Sequence, residues 1–422
     1  MKYLALGIFV LTYSLLLVLP KYRAYIAISS AVLFVILGIL PINKVFTSVD
    51  WNVILMISGT MGVVYLFIES KMPAKLADLI IQKTPNVKWA IISLALFAGV
   101  ISAFIDNVAT VLMIAPVALN IAKKLKISPV PSIIVIAISS NLQGMATLVG
   151  DTTSILLGGY AGLDFLDFFW FNGKIGIFWV VEISALFSVL ILLYIFRKNN
   201  EPVKVYEKTT VTNYIPTMLL ISMIVLLISV SFITNKHAIT NGIICMGVFL
   251  FGLVGHYIKN KQKNIFLKSL KEIDYFTLLL LTGLFVVIAS ISEVGIINDI
   301  SNLFITLSGE NLFIVYTLIV WGSVLLSAFI DNIPYVATML PVVASISSAF
   351  GVAPYILYFG LISGATLGGN LTPIGASANI TALGILKKAG YEVSTKEFMK
   401  IGVPFTFVAV ITGYILIWLI WA

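Results

Sequence analysis

Apolar runs of about 17 to 25 residues recur along the chain, each long enough as a helix to cross the hydrocarbon core of a bilayer. They predict spanning helices near 4–20, 24–40, 52–69, 175–196, 214–233, 238–257, 275–292 and 401–421. Two further hydrophobic segments, 131–160 and 355–386, are interrupted by small polar residues and predict crossings whose helix is broken part-way. The stretches 89–122 and 311–350 follow a third pattern, in which two apolar arms meet at Asp106-Asn107 or at Asp331-Asn332 with charge, Gly or Pro on both outer flanks. These predict re-entrant hairpins that enter and leave on one side, a form tolerated only when packed inside protein. The segments 71–85 and 163–173 predict amphipathic helices at the interface, the second placing Trp170 at headgroup depth.

This order of elements occurs twice. A shift of 225 positions carries Ser102–Asn107, Ser-Ala-Phe-Ile-Asp-Asn, onto the identical Ser327–Asn332. It also superposes Pro116 on Pro341, Gly144 on Gly369, Thr147 on Thr372 and Gly150 on Gly375. One unit covers 1–196, with hairpin 89–122 and broken helix 131–160. A linker follows at 197–213, and the second unit covers 214–422 with hairpin 311–350 and broken helix 355–386. Five crossings per unit is an odd number, so the second copy must lie upside down relative to the first. The expected fold class is an all-α integral membrane protein: ten transmembrane helices plus two re-entrant hairpins, in two inverted-topology repeats with broken helices at the midplane.

Positive charge supplies an internal check. If the hairpins do not cross, 22 of the 26 Lys and Arg residues fall on one face, leaving Lys2, Lys44, Lys174 and Lys236 on the other. That asymmetry identifies the basic face as cytoplasmic, with both termini extracytoplasmic and the stretches 197–208 and 259–271 as cytoplasmic loops of a plasma-membrane protein. The first apolar run, Leu4 to Leu19, lacks a basic start beyond Lys2 and a small-residue cleavage site before Pro20, so it is read as a span rather than a signal peptide.

Composition narrows the function. A mean hydropathy of +1.08 with 10% charged residues excludes a soluble domain and a nucleic-acid binder, despite the net charge of +8. Cys245 is the single cysteine, which excludes a disulfide framework and a thiolate metal site. Neither His237 nor His256 has a second ligand at metal spacing. No cofactor or metal is expected, beyond Na+ or H+ as a coupling ion.

Carboxylates inside apolar segments carry the chemistry. Placing one near the bilayer centre costs on the order of 3 kcal/mol, so Asp106 and Asp331 imply a polar pathway. Gly144, Gly150, Gly369, Pro373 and Gly375 let the interrupted helices unwind, exposing backbone carbonyls for a cation and helix N-termini for an anion. The residues expected around the resulting substrate or ion cavity are Asp106, Asn107, Asn141, Thr147, Asp151, Thr152, Asp331, Asn332, Asn370, Thr372, Ser377 and Asn379. Asp151 has Ala376 at its repeat-equivalent position and is expected to be the coupling carboxylate. The proposed midplane contains no Lys or Arg, so a bound anion must rely on helix dipoles, amides or a co-bound cation. Glu182, inside the span 175–196, reads as a packed or cavity-facing carboxylate or as a relay; Glu69 and Glu293 lie at span ends and reach water.

Four motifs in order carry a family resemblance: Phe-Ile-Asp-Asn-Val-Ala-Thr with Pro116; Asn-Leu-Gln-Gly-Met-Ala-Thr-Leu-Val-Gly-Asp; Asp-Asn-Ile-Pro-Tyr-Val-Ala-Thr-Met-Leu-Pro; and Leu-Gly-Gly-Asn-Leu-Thr-Pro-Ile-Gly-Ala-Ser-Ala-Asn. Over essentially the whole chain they resemble the ion transporter superfamily, in the branch joining arsenite permeases, NhaD-type sodium/proton antiporters and the melanosomal P protein, which shares the citrate-transporter-like domain. The resemblance implies a homodimeric carrier with scaffold and transport parts and an elevator-like displacement. The dicarboxylate branch carries Ser-Asn-Thr at its hairpin tips, where this chain has Asp106-Asn107-Val108 and Asp331-Asn332-Ile333. The expected function is secondary active transport of a small inorganic ion or oxyanion, of the arsenite/anion permease type, coupled to H+ or Na+. Na+/H+ antiport is the alternative; a passive anion channel and an intramembrane aspartyl protease rank below it. Against the protease, Gly150-Asp151 lacks the first glycine of a Gly-x-Gly-Asp signature, and Asn follows both hairpin aspartates.

Overall fold

A computed structural model describes residues 1–203, 209–211, 213–260 and 268–422, leaving aside the side chains of 256–260. The His256 side chain and parts of the predicted cytoplasmic stretches 197–208 and 259–271 lie outside the described residues. The first half contains α1 (Lys2–Val18), α2 (Arg23–Ile36), α3 (Ile42–Ser48), α4 (Trp51–Glu69) and α5 (Met72–Ile81). It continues with the hairpin arms α6 (Val87–Ser102) and α7 (Asn107–Leu125), the broken pair α8 (Val130–Gly144) and α9 (Thr152–Ala161), and α10 (Ile177–Ile195). The second half contains α11 (Ile215–Val230), α12 (Thr240–Asn260), α13 (Tyr275–Glu293) and α14 (Ile296–Ser308). Its hairpin arms are α15 (Leu312–Ser327) and α16 (Asn332–Phe350), followed by the broken pair α17 (Tyr355–Gly368) and α18 (Ser377–Lys388), then α19 (Thr395–Trp421).

The sequence starts corresponding helices with the same chemistry. Asp50 caps α4 and Asp274 caps α13; Asn86 caps α6 and Asn311 caps α15; Asp106 caps α7 and Asp331 caps α16. Each side chain accepts a backbone N–H that the helix leaves without a partner, and in an apolar surround that group has no water to turn to.

Among the described residues, six helices, α4, α7, α10, α13, α16 and α19, are long and apolar enough to cross a membrane. The number rises to eight if the bent pairs α1–α2, at 114°, and α14–α15, at 115°, each count as one span. The expected ten crossings do not emerge from length and composition, for a physical reason. The hairpin arms α7 and α16, 19 residues each, pass the same test as full crossings, whereas the broken segments are split into pieces of 10 to 15 residues that fail it.

The stretch 163–173 is not the helix expected. It forms a short turn at Leu166–Phe168 and a minimal hairpin pairing Trp170 with Ile175 and Phe171 with Lys174. Asn172 and Gly173, at φ 50° and 75°, supply the two left-handed residues that a tight hairpin turn needs.

Packing exchanges elements between halves: α12 lies along α4 and α2 along α13, while α9 packs on α16 and α18 on α7. Glycines permit the first two close approaches. A Cβ on Gly59 would lie 2.3 Å from the Cys245 carbonyl carbon, and one on Gly283 would lie 2.6 Å from that of Ala27. Lys44 Nζ, before α4, meets Glu293 Oε1, at the end of α13, at 2.7 Å. Tyr65 and Ile68, at the other end of α4, line a cavity with Asp274 and Thr277 at the start of α13. The helices α4 and α13 therefore run antiparallel.

Candidate functional site

Each hairpin tip is bolted to the break in its own half by the same set of contacts. Ser102 Oγ donates to the Ser140 carbonyl at 2.8 Å, and Ser327 Oγ to the Ala365 carbonyl at 2.5 Å. Thr147 Oγ1 donates to the Ala103 carbonyl, and Thr372 Oγ1 to that of Ala328. Gly150 and Gly375 are fixed by space: a Cβ on Gly150 would lie 2.5 Å from the Gly144 oxygen and 2.8 Å from that of Ala103, and one on Gly375 2.6 Å and 2.9 Å from those of Gly369 and Ala328. The repeat in the sequence thus preserves a lock between tip and break.

Amides join the halves. Asn107 Nδ2 donates to Asn141 Oδ1 at 2.9 Å, and Asn141 Nδ2 donates to Asn370 Oδ1 at 2.7 Å and Asn379 Oδ1 at 3.1 Å. Asn370 Nδ2 reaches the Ile138 carbonyl at 3.0 Å, and Asn379 Nδ2 the carbonyls of Gly369 and Thr372 at 2.9 and 3.0 Å. Asn141, Asn370 and Asn379 are fully buried, and mutual pairing is what makes that burial affordable.

In front of this cluster lies a cavity of about 210 Å³. Of the twelve expected site residues, Asp106, Asn107, Asp151, Thr152, Asp331, Asn332 and Ser377 line it. Asn141, Thr147, Asn370, Thr372 and Asn379 lie behind, in the amide cluster and the tip-to-break locks. Gly144, Gly150, Gly369 and Gly375 sit where the broken segments turn, with Pro373 between Thr372 and α18.

Five carboxylates face the cavity, because Glu272 and Asp274 join the three aspartates; among the described residues no basic one is in its wall. The aspartates differ in their bonding. Asp106 Oδ1 accepts the N–H groups of Val108 and Ala109, both at 3.1 Å, and Asp331 Oδ1 accepts that of Ile333 at 3.1 Å. Asp151, by contrast, makes no side-chain cap to α9; its Oδ2 accepts Thr153 Oγ1 at 3.1 Å.

The expectation that no cation reaches this region needs correction. Arg23 Nη1 lies 2.7 Å from Asp331 Oδ2, with both side chains largely enclosed, and Arg23 Nε donates to the Leu16 carbonyl at 3.2 Å. A basic residue beside Pro20 reads from sequence as a loop charge, and only the sharp α1–α2 bend turns it toward the second hairpin. Glu272 and Asp274 were missed for a similar reason, since acids before a span read as solvated; their one signal was direct succession to Lys268 and Lys271.

The sequence matches the citrate transporter family, CitMHS, over residues 13–364. It is 31% identical to the 46 kDa membrane protein of Mycobacterium leprae, over 99% of both chains. It is 28% identical to the P protein of Homo sapiens, over 86% of this chain and 53% of that protein. Among solved structures, the YdaH transporter of Alcanivorax borkumensis shares the fold with a TM-score of 0.58 at 13% identity, over 89% of this chain and 86% of that one. MtrF of Neisseria gonorrhoeae, from a class of antimetabolite efflux pumps, does so at 0.54 and 16%, over 89% and 83%. At those identities the likeness is one of fold. The resemblance carried by the hairpin and break motifs is borne out, and this multi-pass helical membrane transporter belongs to the citrate transporter family.

Proposed function

We propose that the chain is a secondary active transporter of a small inorganic ion or oxyanion, driven by H+ or Na+ bound among the cavity carboxylates. The observation that carries this reading is the convergence of both hairpin tips and both breaks on one cavity whose wall, among the described residues, holds five carboxylates and no Lys or Arg. A cation or proton is accommodated there directly. An oxyanion needs that cation beside it, together with the N-terminus of α18, where Ala376 offers no capping side chain. The same surplus of carboxylates favours Na+/H+ antiport as the second reading.

The exchange of elements between halves and the antiparallel α4 and α13 support two inverted repeats with ten crossings. The cavity wall is shared between α4 and the start of α13 on one side and the hairpins and breaks on the other, as an elevator-like carrier requires. Orientation follows the charge count, with the basic face cytoplasmic and both termini outside a plasma membrane. All four lysines assigned to the outer face are held: Lys2 by Asp299, Lys44 by Glu293, Lys236 by Asp164 and Lys174 over the Trp421 ring. In this orientation the cavity, lined by Glu272 and Asp274, would open toward the basic face. We further propose a homodimer in the lipid bilayer, with no nucleic-acid partner. Transporter relatives speak against an enzyme, and Asp331, bound to Arg23, is not free to share a proton with Asp106 as a protease dyad needs.

Proteoliposome flux followed with a pH-sensitive dye, adding Na+, Li+, arsenite, phosphate and citrate in turn, tests the reading. A pH change with Na+ alone selects antiport, and a response to one oxyanion selects the permease. Silence to all five, with the protein correctly inserted, overturns both.

A further inference from the structure

A second carboxylate site lies behind the first break. Glu182 is the one charged residue within α10, and it faces a cavity of about 50 Å³ lined also by Gly99, Ser139, Leu142, Gln143 and Phe405. This cavity shares no lining residue with the main one. A single turn of chain separates them, because Gly144, next to Gln143, is so close to Asp151 that a Cβ on it would lie 3.0 Å from the Asp151 Cβ.

The Gln143 amide is buried beside Glu182 in this cavity wall, and its Oε1 has no partner. An ionised carboxylate only accepts hydrogen bonds, so it can take an amide N–H but leaves Oε1 unpaired. A carboxyl that carries a proton completes both bonds: the amide N–H donates to the acid carbonyl, and the acid O–H donates to Oε1. One proton closes the pair.

We propose that Glu182 and Gln143 form a second proton-binding site, whose loaded form is a cyclic acid–amide pair and whose ligand is H+. The site rests on the reading of the chain as an ion-coupled carrier for its role, but not for its existence. Unloading transfers the proton from Glu182 to water as hydronium, leaves a carboxylate, and removes the donor to Oε1. The end of α8 then loses a tie to α10 next to Asp151, which links the proton state of one cavity to the break that walls the other.

Among the described residues, no competing titratable group enters this cavity wall. The helices packed against α10 are α6, α8 and α19. Their charged residues are Lys88 at the start of α6 and Lys396, Glu397 and Lys400 at the start of α19, while α8 has none. Tyr414 of α19 bonds to Thr317 instead.

Infrared difference spectra of the full chain in lipid vesicles, recorded while the pH is stepped, read the protonated carboxyl C=O stretch without requiring transport. The expected result is a carboxyl band that is lost in Glu182→Gln, kept in Asp151→Asn, and shifted in frequency in Gln143→Leu, where the acid loses its amide partner. In parallel, dye-monitored flux of Glu182→Gln should lose one step of the pH profile. A band unchanged in both Glu182→Gln and Gln143→Leu overturns the site. If Glu182→Gln fails to assemble, the Gln143→Leu frequency decides, because a purely structural carboxylate gives no amide-dependent shift. A Glu182 band in a wild-type protein that moves no ion keeps the site and removes the transport reading instead.

Discussion

Removing Arg23 should expose how strongly the second hairpin is tied to the N-terminal helices. At 2.7 Å and an effective dielectric of ~20, the Arg23–Asp331 attraction is ~6 kcal/mol before desolvation is subtracted. The side chains are only 16% and 13% exposed, so screening by water is slight. Truncating one member of such a pair typically costs ~3–5 kcal/mol, because the other charge is left enclosed and unpaired. We expect about 3 kcal/mol for Arg23→Met, the lower end, since Asp331 keeps its bond to the Ile333 N–H. Asp331→Asn preserves the cap, as Asn and Asp cap helices equally well, and so isolates the charge. The double variant should recover most of the loss, giving a coupling energy of ~2–3 kcal/mol in a denaturation cycle in mixed micelles. The control is Lys44–Glu293, also 2.7 Å apart but 50% and 42% exposed, which should couple by ~1 kcal/mol or less. A coupling at Arg23–Asp331 no larger than at the control refutes the argument that enclosure makes this pair strong.

Three further outcomes are expected. Asp151→Asn should uncouple transport from the driving gradient, whereas Asp106→Asn should chiefly weaken substrate affinity or folding; accumulation driven normally in Asp151→Asn counts against its coupling role. Gly150→Ala and Gly375→Ala should each lower the yield of folded protein several-fold, because the new methyl meets backbone oxygens at 2.5–2.9 Å that have no side chain to move; gel filtration of both variants checks this. On a Cys245→Ser background, cysteines at Lys198 and Lys271 should be closed to an impermeant reagent applied outside, while one at Lys174 should be labelled; the reverse pattern overturns the orientation.

Much of the site was legible because its chemistry lies in local sequence. Asp106-Asn107 and Asp331-Asn332 announce hairpin tips, since an aspartate followed by helix-forming residues is a cap wherever it occurs. The recurrence of Thr147 and Gly150 at Thr372 and Gly375 announces the breaks, although sequence alone placed the threonines in the cavity rather than on the tip carbonyls. The periodicity that gives away spans is blind to which hydroxyl turns inward. It is equally blind to partners distant in sequence: the Asn141–Asn370 bond spans 229 positions and Arg23–Asp331 spans 308. The stretch 163–173 misled for a different reason, because its aromatic content suggested an interfacial helix and outweighed the Asn172-Gly173 turn within it.

The two halves share locks but not charges, and this difference bears on mechanism. Tip-to-break contacts are duplicated almost atom for atom, so each hairpin is fixed to the break of its own half. Ionisable chemistry is unequal: Asp151 stands in one half where Ala376 stands in the other, and Arg23 binds Asp331 while Asp106 receives backbone N–H groups. Duplicated locks without this difference would give a carrier with two equivalent sites and no preferred place for a coupling ion. With it, the tip and break of the first half keep two carboxylates, Asp106 and Asp151, with no basic partner among the described residues, whereas the second half is neutralised at its tip and left uncapped at the N-terminus of α18. On the proposed function, a cation is expected on the side of Asp106 and Asp151, and an electron-rich substrate on the side of Ser377. Charge reversal at Arg23 should then disturb selectivity more than any substitution within the duplicated locks, and comparing Na+ and arsenite flux in Arg23→Glu with that in Thr372→Ser would show which of the two systems controls what the protein carries.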